Sequence, residues 1–207
     1  MNILIQKYFP EIAGEQIKQL DVLGELYYDW NAKINVISRR DINNLYEHHI
    51  LHSLSIARFI RFTGGTHVMD VGTGGGFPGI PLAILYPEVR FHLVDSIGKK
   101  IKVAQSVADT IGLKNVTARH CRIEDEKATF DFVVSRAVMT LPGLAGLVRK
   151  NIGKVQRNAL PNGLICLKGG DLQKETGPFG KNIISTMLSD YFDEPFFKTK
   201  KVIYIPL

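Results

Sequence analysis

Cysteine is scarce: the 207 residues hold two, Cys121 and Cys166. A disulfide framework and a cysteine-based zinc site are both excluded as the organising principle. A reducing, cytoplasmic setting is expected instead. Long apolar runs are also missing. No stretch reaches the roughly 18 uninterrupted apolar residues that a membrane span needs, and no basic-then-apolar leader is read at the N-terminus; no membrane partner is expected. His48, His49 and His52 lie close together, and His48 and His52 would share a helix face. No Glu follows His48 in a His-Glu-x-x-His pattern, so no metal is expected. Internal repeats and low-complexity tracts are absent as well.

The composition itself is that of a globular protein. Hydrophobic residues make up 45% and charged residues 22%, which excludes global disorder. The length suits one domain with a small appendage. The net charge is +6, and the excess falls entirely after residue 63, because seven basic residues balance seven acidic ones before it. A moderate basic excess is compatible with a nucleic-acid partner without demonstrating one.

Hydrophobic spacing divides the chain. Ile17, Leu20, Leu23, Tyr27, Trp30 and Ile34 recur every three or four residues and predict an amphipathic helix over 15–36. Ile42, Leu45, Tyr46, Ile50, Leu54 and Ala57 predict a second over 41–62, with Asp41 as its N-cap and Thr63-Gly64-Gly65 as its stop. Short apolar runs come next at 67–71, 90–95, 115–119, 130–135 and 163–168, with helical stretches at 78–86, 97–111 and 142–153. Strands alternating with helices imply βαβ units and a parallel sheet. The runs Pro195-Phe196-Phe197-Lys198 and Lys201-Val202-Ile203-Tyr204-Ile205 are too close for a helix between them. They are expected to pair antiparallel at the sheet edge. Residues 169–180 read as a mobile loop.

The most informative stretch is Asp70-Val71-Gly72-Thr73-Gly74-Gly75-Gly76-Phe77-Pro78-Gly79. A strand running through glycines into a helix lets a ligand approach the backbone closely. Pro78 suits the first turn of that helix. Asp95 ends the next strand, where a carboxylate can accept both hydroxyls of a ribose. Gly74-x-Gly76-x-x-Gly79 satisfies the dinucleotide fingerprint literally, so a nicotinamide-dependent oxidoreductase is one reading. The register argues against it, since that site wants its first glycine directly at the strand end. An acidic residue two before the first glycine suits S-adenosylmethionine, whose amino-acid end is cationic; a pyrophosphate would be repelled. The loop after the third strand, Arg122-Ile123-Glu124-Asp125, stands where an adenine would be cupped, although Glu124-Asp125-Glu126 also reads as a solvated acidic turn.

The residues at the end of the fourth strand narrow the acceptor. Ser135-Arg136-Ala137-Val138 is not the Asn/Asp-Pro-Pro-aromatic tetrad that grips an adenine amine. Cys121 and Cys166 read as core or inert thiols rather than the nucleophile of a pyrimidine C5 enzyme. A ring nitrogen such as guanine N7 carries an exposed lone pair and needs no base, only position and a tolerant electrostatic site.

These motifs resemble the GidB/RsmG family of bacterial small-subunit ribosomal RNA methyltransferases. The resemblance covers about residues 26–170. It rests on Trp30-Asn31-x-x-x-Asn35-x-x-Ser38, His49-Ile50-Leu51-x-Ser53 and the glycine stretch extended through Pro78-Gly79-Ile80-Pro81-Leu82. Asp95-Ser96-x-Gly98-Lys99-Lys100, Ser135-Arg136-Ala137 and Leu167-Lys168-Gly169 continue it. It implies S-adenosylmethionine-dependent methylation of guanine N7 in the 530 loop of 16S rRNA, with cofactor contacts at Gly72, Phe77, Ile123, Glu124 and Arg136. Gly74 and Asp95 join that set from the motif reading. Gly75 stands where the family commonly has Pro, Phe77 where it has an aliphatic residue, and His52 where it has Asp.

Trp30 reads as core. Asn31 and Asn35, one turn apart, read either as a solvated face or as lining for the methyl-donor cleft. With Lys168, at a strand end and able to hold a phosphate, they form the expected substrate side. Lys99-Lys100-x-Lys102 suits either phosphate contact or solvent. The expectation is therefore an α/β, Rossmann-like S-adenosylmethionine-dependent methyltransferase. It has a seven-stranded, mostly parallel sheet with an antiparallel C-terminal edge. A helical N-terminal segment spans 1–63 and the methyltransferase domain spans 64–207. The partner is 16S rRNA or the small ribosomal subunit, the protein is a monomer, and no general base is assigned. The non-enzymatic rival is an RNA-binding module with a vestigial cofactor site.

Overall fold

The computed structural model describes residues 3–136 and 138–207; Ala137, quoted in the Ser135-Arg136-Ala137 run, lies outside them. Helices α1 (Ile3–Tyr8) and α2 (Gly14–Lys33) come first, followed by a helical stretch that ends in α3 (His52–Phe59). Then come β1 (His67–Val71), α4 (Gly79–Leu85), β2 (Arg90–Asp95), α5 (Gly98–Thr110), β3 (Val116–His120), β4 (Phe132–Arg136), α6 (Leu141–Val148) and β5 (Gly163–Gly169). Helix α7 (Gln173–Thr176), β6 (Ile184–Met187) and β7 (Lys200–Pro206) close the chain. One seven-stranded sheet results, in the order β3-β2-β1-β4-β5-β7-β6. The first five strands are parallel; β7 runs antiparallel to both β5 and β6.

The pleat sorts the strand residues into two layers. Val68, Phe91, Leu93, Phe132, Val134, Ile165 and Leu167 join one core with the N-terminal helices, α4 and α5. Met69, Val71, Val94, Val133, Leu164 and Cys166 join a second core beneath α6. Burial on both faces is what keeps β1, β4 and β5 almost wholly apolar. Asp70 and Ser135 are the fully buried polar exceptions; the place of Asp70 between Met69 and Val71 turns its side chain toward the first layer.

Five sequence expectations are corrected. The helix expected over 41–62 is a 3-10 turn (Ile42–Asn44), a π-helix (Leu45–Leu51) and then α3. The His52 amide accordingly bonds Glu47 O, five residues back. Asp41 makes no side-chain cap, because its carboxylate is taken by His48 and His49. The helix stops at Phe59, ahead of the glycines that were read as its stop. Residues 195–198 are not a strand: Pro195 cannot donate to a ladder, and Pro195–Thr199 forms a 3-10 turn that buries Phe197. The partner of β7 is β6, whose half-exposed Ile-Ser-Thr-Met has no apolar alternation to betray it. Residues 169–180 contain α7 and a 3-10 turn (Gly177–Phe179) rather than an irregular loop.

Candidate functional site

The C-terminal ends of β1, β2 and β4 open onto a cleft of about 530 Å³. Open α/β sheets place ligands at this end, where the strand order reverses, here between β1 and β4. All seven residues expected at a cofactor, Gly72, Gly74, Phe77, Asp95, Ile123, Glu124 and Arg136, line this one cleft.

The turn after β1 forms its floor. Gly72 has φ +67, and a Cβ there would overlap Val138 Cγ2, so Val138 lies directly over it. Helix α2 holds the turn from the other side, because Tyr27 Oη donates to Gly75 O at 2.8 Å. Val36, from the connector after α2, packs on Gly75 and also lines the cleft.

Asp70 is placed differently from the sequence reading. It is fully buried and does not line the cleft. Its Oδ2 accepts from Thr73 Oγ1 at 2.7 Å and from the Gly79 amide at 2.8 Å. Burial pushes its carboxyl up to about 7. The acidic residue thus shapes the glycine turn from beneath and ties down the start of α4, while Pro78 sits one residue earlier, at the N-cap. The α4 amide that a pyrophosphate would meet is already occupied by a carboxylate, which disfavours a dinucleotide there.

Asp95 does face the cleft. Its Oδ2 accepts the Gly74 amide and its Oδ1 the Ile97 amide, both at 2.9 Å. Those bonds fix the carboxylate and leave lone pairs for ligand hydroxyls. Ile123–Asp125 forms a 3-10 turn on the facing wall, where Ile123 is buried and Glu124 is exposed. Glu126, read with it as solvated, is instead buried and bonded by His92 and Arg119.

Arg136 ends β4 on the cleft wall, with its guanidinium 5.2 Å from the centre of the Phe77 ring. It donates to His48 O at 3.3 Å and to His49 Nδ1 at 3.0 Å. Burial, then the charge of Arg136, push His49 down to about 4. Burial alone would raise Asp41, but its bonds to His48 and His49 outweigh that and hold it below the usual carboxylate range.

The expected substrate residues separate. Asn31 is buried and does not line the cleft; its Oδ1 accepts the Val36 and Ile37 amides at 3.0 and 2.9 Å, which holds the connector. Asn35 is exposed beside Val36 and also lies outside the lining. Lys168 is not free for a phosphate in the way expected. Its Nζ bonds Met139 O at 2.5 Å and Glu175 Oε2 at 2.8 Å, and the same oxygen accepts the Leu141 amide at 2.8 Å. Strand β5 and α7 thereby clamp residues 138–140 over the cleft. Sequence reasoning missed Val36, Ser96, Lys100, Cys121, Val138 and Met139 as cleft lining. For Ser96 and Cys121 their places just after β2 and β3 were the available signal; Lys100 was legible as a basic residue suited to a phosphate or to solvent, and for Val36, Val138 and Met139 periodicity carries none.

The cleft fits S-adenosylmethionine. It has the volume of a small-molecule site, a fixed carboxylate for ribose, a buried apolar contact at Ile123 and a cation at Arg136.

The family model described as GidB, rRNA small subunit methyltransferase G, matches residues 16–189. A ribosomal RNA small subunit methyltransferase G of Bacteroides fragilis is 65% identical over 204 residues, covering 99% of both chains. One from Porphyromonas gingivalis is 60% identical over 205 residues, covering 99% of this chain and 93% of its own. Among solved structures, a mutant of MtNAS in complex with S-adenosylmethionine has a TM-score of 0.57 at 12% identity, over 92% of this chain and 76% of its own. Precorrin-6y C5,15-methyltransferase from Geobacter metallireducens has a TM-score of 0.55 at 12% identity, over 84% and 92%. At such identities the structures speak for the fold alone.

Proposed function

This chain belongs to the rRNA small subunit methyltransferase G family, and from that membership we propose that it transfers a methyl group from S-adenosylmethionine to N7 of a guanosine in the 530 loop of 16S rRNA. The observation that carries the reading is the convergence of Gly72, Asp95, Ile123 and Arg136 on one cleft at the strand ends.

In this reading Asp95 takes the ribose hydroxyls, Ile123 and Glu124 bracket the adenine, and the Gly72–Phe77 turn and Arg136 hold the amino-acid end. The bound cofactor supplies an electrophilic methyl carbon on a sulfonium. Guanine N7 presents its lone pair without deprotonation, so the chain has only to align it and exclude water. Val138 and Met139, exposed at the mouth and clamped through Lys168, form the wall against which the base enters, opposite Val36. Lys168 acts on the RNA through the loop it holds, and Asn31 through the connector. Residues 1–63 serve as a helical support for the methyltransferase domain at 64–207.

The substrate is rRNA, as naked RNA or in the small subunit, met by a monomer in the cytoplasm. Two free cysteines support a reducing compartment, and among the described residues no helix is long and apolar enough to cross a membrane.

The test uses labelled S-adenosylmethionine with small subunits lacking the modification, and maps label by cleavage at 7-methylguanosine. Label at one guanine of the 530 loop is expected. Label elsewhere would overturn the substrate. Binding of a nicotinamide cofactor in place of S-adenosylhomocysteine would revive the oxidoreductase reading, and RNA binding indifferent to cofactor would favour the vestigial module.

A further inference from the structure

Arg136 lines the cleft, yet no carboxylate lies within ion-pair distance of it among the described residues; its hydrogen-bond partners are the His48 carbonyl and His49 Nδ1. A guanidinium can only donate. His49 Nδ1 is therefore the acceptor, and the imidazole proton sits on Nε2, which lies 2.7 Å from Asp41 Oδ2. The other carboxylate oxygen of Asp41 meets His48 Nδ1 at 2.5 Å, and the His48 ring stacks on Phe196 at 3.9 Å. Asp41 is thus gripped from both sides.

The π-helix makes this arrangement available. Its wider turn lets consecutive residues, His48 and His49, both reach back to Asp41. A directional chain of bonds runs from the Asp41 carboxylate through the neutral His49 ring to the Arg136 guanidinium. With Phe77 against one face and two donors engaged, Arg136 is held rigidly, and the rest of its five N–H groups remain for an anion.

Resting on the cofactor reading above, we propose that Asp41 and His49 are positioning residues that aim Arg136 at the carboxylate of the S-adenosylmethionine amino-acid end. That carboxylate is the sole anionic group of the cofactor. An RNA phosphate is the other anion that could meet a guanidinium here, and the test separates the two.

The Kd of S-adenosylhomocysteine, which has the amino-acid end, is measured calorimetrically beside that of 5′-methylthioadenosine, which lacks it. His49→Ala and Asp41→Ala are each expected to weaken S-adenosylhomocysteine about tenfold, the size of a lost charge-assisted hydrogen bond. Both should leave 5′-methylthioadenosine unchanged. His49→Gln, whose amide can accept from Arg136 and donate to Asp41, should restore binding to within about twofold of wild type.

Asp41 is half-exposed, so its variant keeps the test open should His49→Ala fail to fold. Unchanged S-adenosylhomocysteine affinity in both alanine variants would overturn the proposal and leave Arg136 to the RNA. Equal weakening of both ligands, or no rescue by glutamine, would reduce the chain to general structure and also overturn it. Wild-type protein that binds neither ligand would remove the cofactor reading itself.

Discussion

The carboxylate of Asp70 accepts the backbone amide of Gly79 at 2.8 Å, across the whole glycine turn. The bond closes the loop on itself, with Thr73 Oγ1 as a second donor to the same oxygen. It also explains the absence of a side chain at Gly79, where a Cβ would stand 2.8 Å from that oxygen and from Leu93 Cδ2.

Asp70→Ala leaves two buried donors unpaired and is expected to destabilise the fold by about 2–4 kcal/mol. It should also abolish cofactor binding by loosening the turn. Asp70→Asn keeps an acceptor oxygen and should retain most of both. Chemical denaturation and S-adenosylhomocysteine titration check this; equal loss in the two variants would refute the loop-closing role.

Gly72 and Gly74 both have positive φ, but only Gly72 is also sterically closed, by Val138. Gly74→Ala should cost about 1–2 kcal/mol in stability from backbone strain. Gly72→Ala adds displacement of the clamped residues 138–140, so its cofactor affinity should fall at least tenfold further. Paired thermal melts and binding curves separate the two effects.

Lys168 tests differently from a phosphate-binding lysine. Lys168→Met should lower kcat/KM on small subunits several-fold by freeing residues 138–140. The slope of log binding constant against log salt should stay unchanged, because no phosphate contact is lost. A direct phosphate contact would reduce that slope by about 1 on deletion.

Asp70 and His49 give stability opposite dependences on pH. His49 is depressed to about 4, so between about 4 and 6.5 the unfolded chain binds more protons at this site, and stability rises with pH. Its share is about 3 kcal/mol across that window. His52, buried against Phe196 and Phe197 and pushed down mainly by burial, acts in the same direction. Asp70 is raised to about 7, so the folded state holds its proton more tightly and stability falls as pH rises toward 7. His49→Gln should therefore flatten the acid side of a Tm-against-pH curve, and Asp70→Asn should steepen it.

The sequence determined by itself the features that local chemistry dictates. The apolar runs at 67–71, 90–95 and 163–168 became β1, β2 and β5 nearly to the residue, because a strand buried on both faces tolerates little else. The glycine turn and Asp95 were legible because positive φ and a strand-end carboxylate have few other uses. Tertiary structure decided the rest. Asp70 points under the turn because the pleat sends it there; Asn31 is spent on backbone amides that only a folded connector presents. The π-turn leaves no trace beyond the five-residue spacing of buried Leu45 and Ile50, which an α-helical reading absorbs without strain. Whether Lys168 meets a phosphate or Glu175, and whether Arg136 is aimed by His49, depends on partners 7 and 87 residues away. Contacts at such separations are made by packing, and no local propensity encodes them.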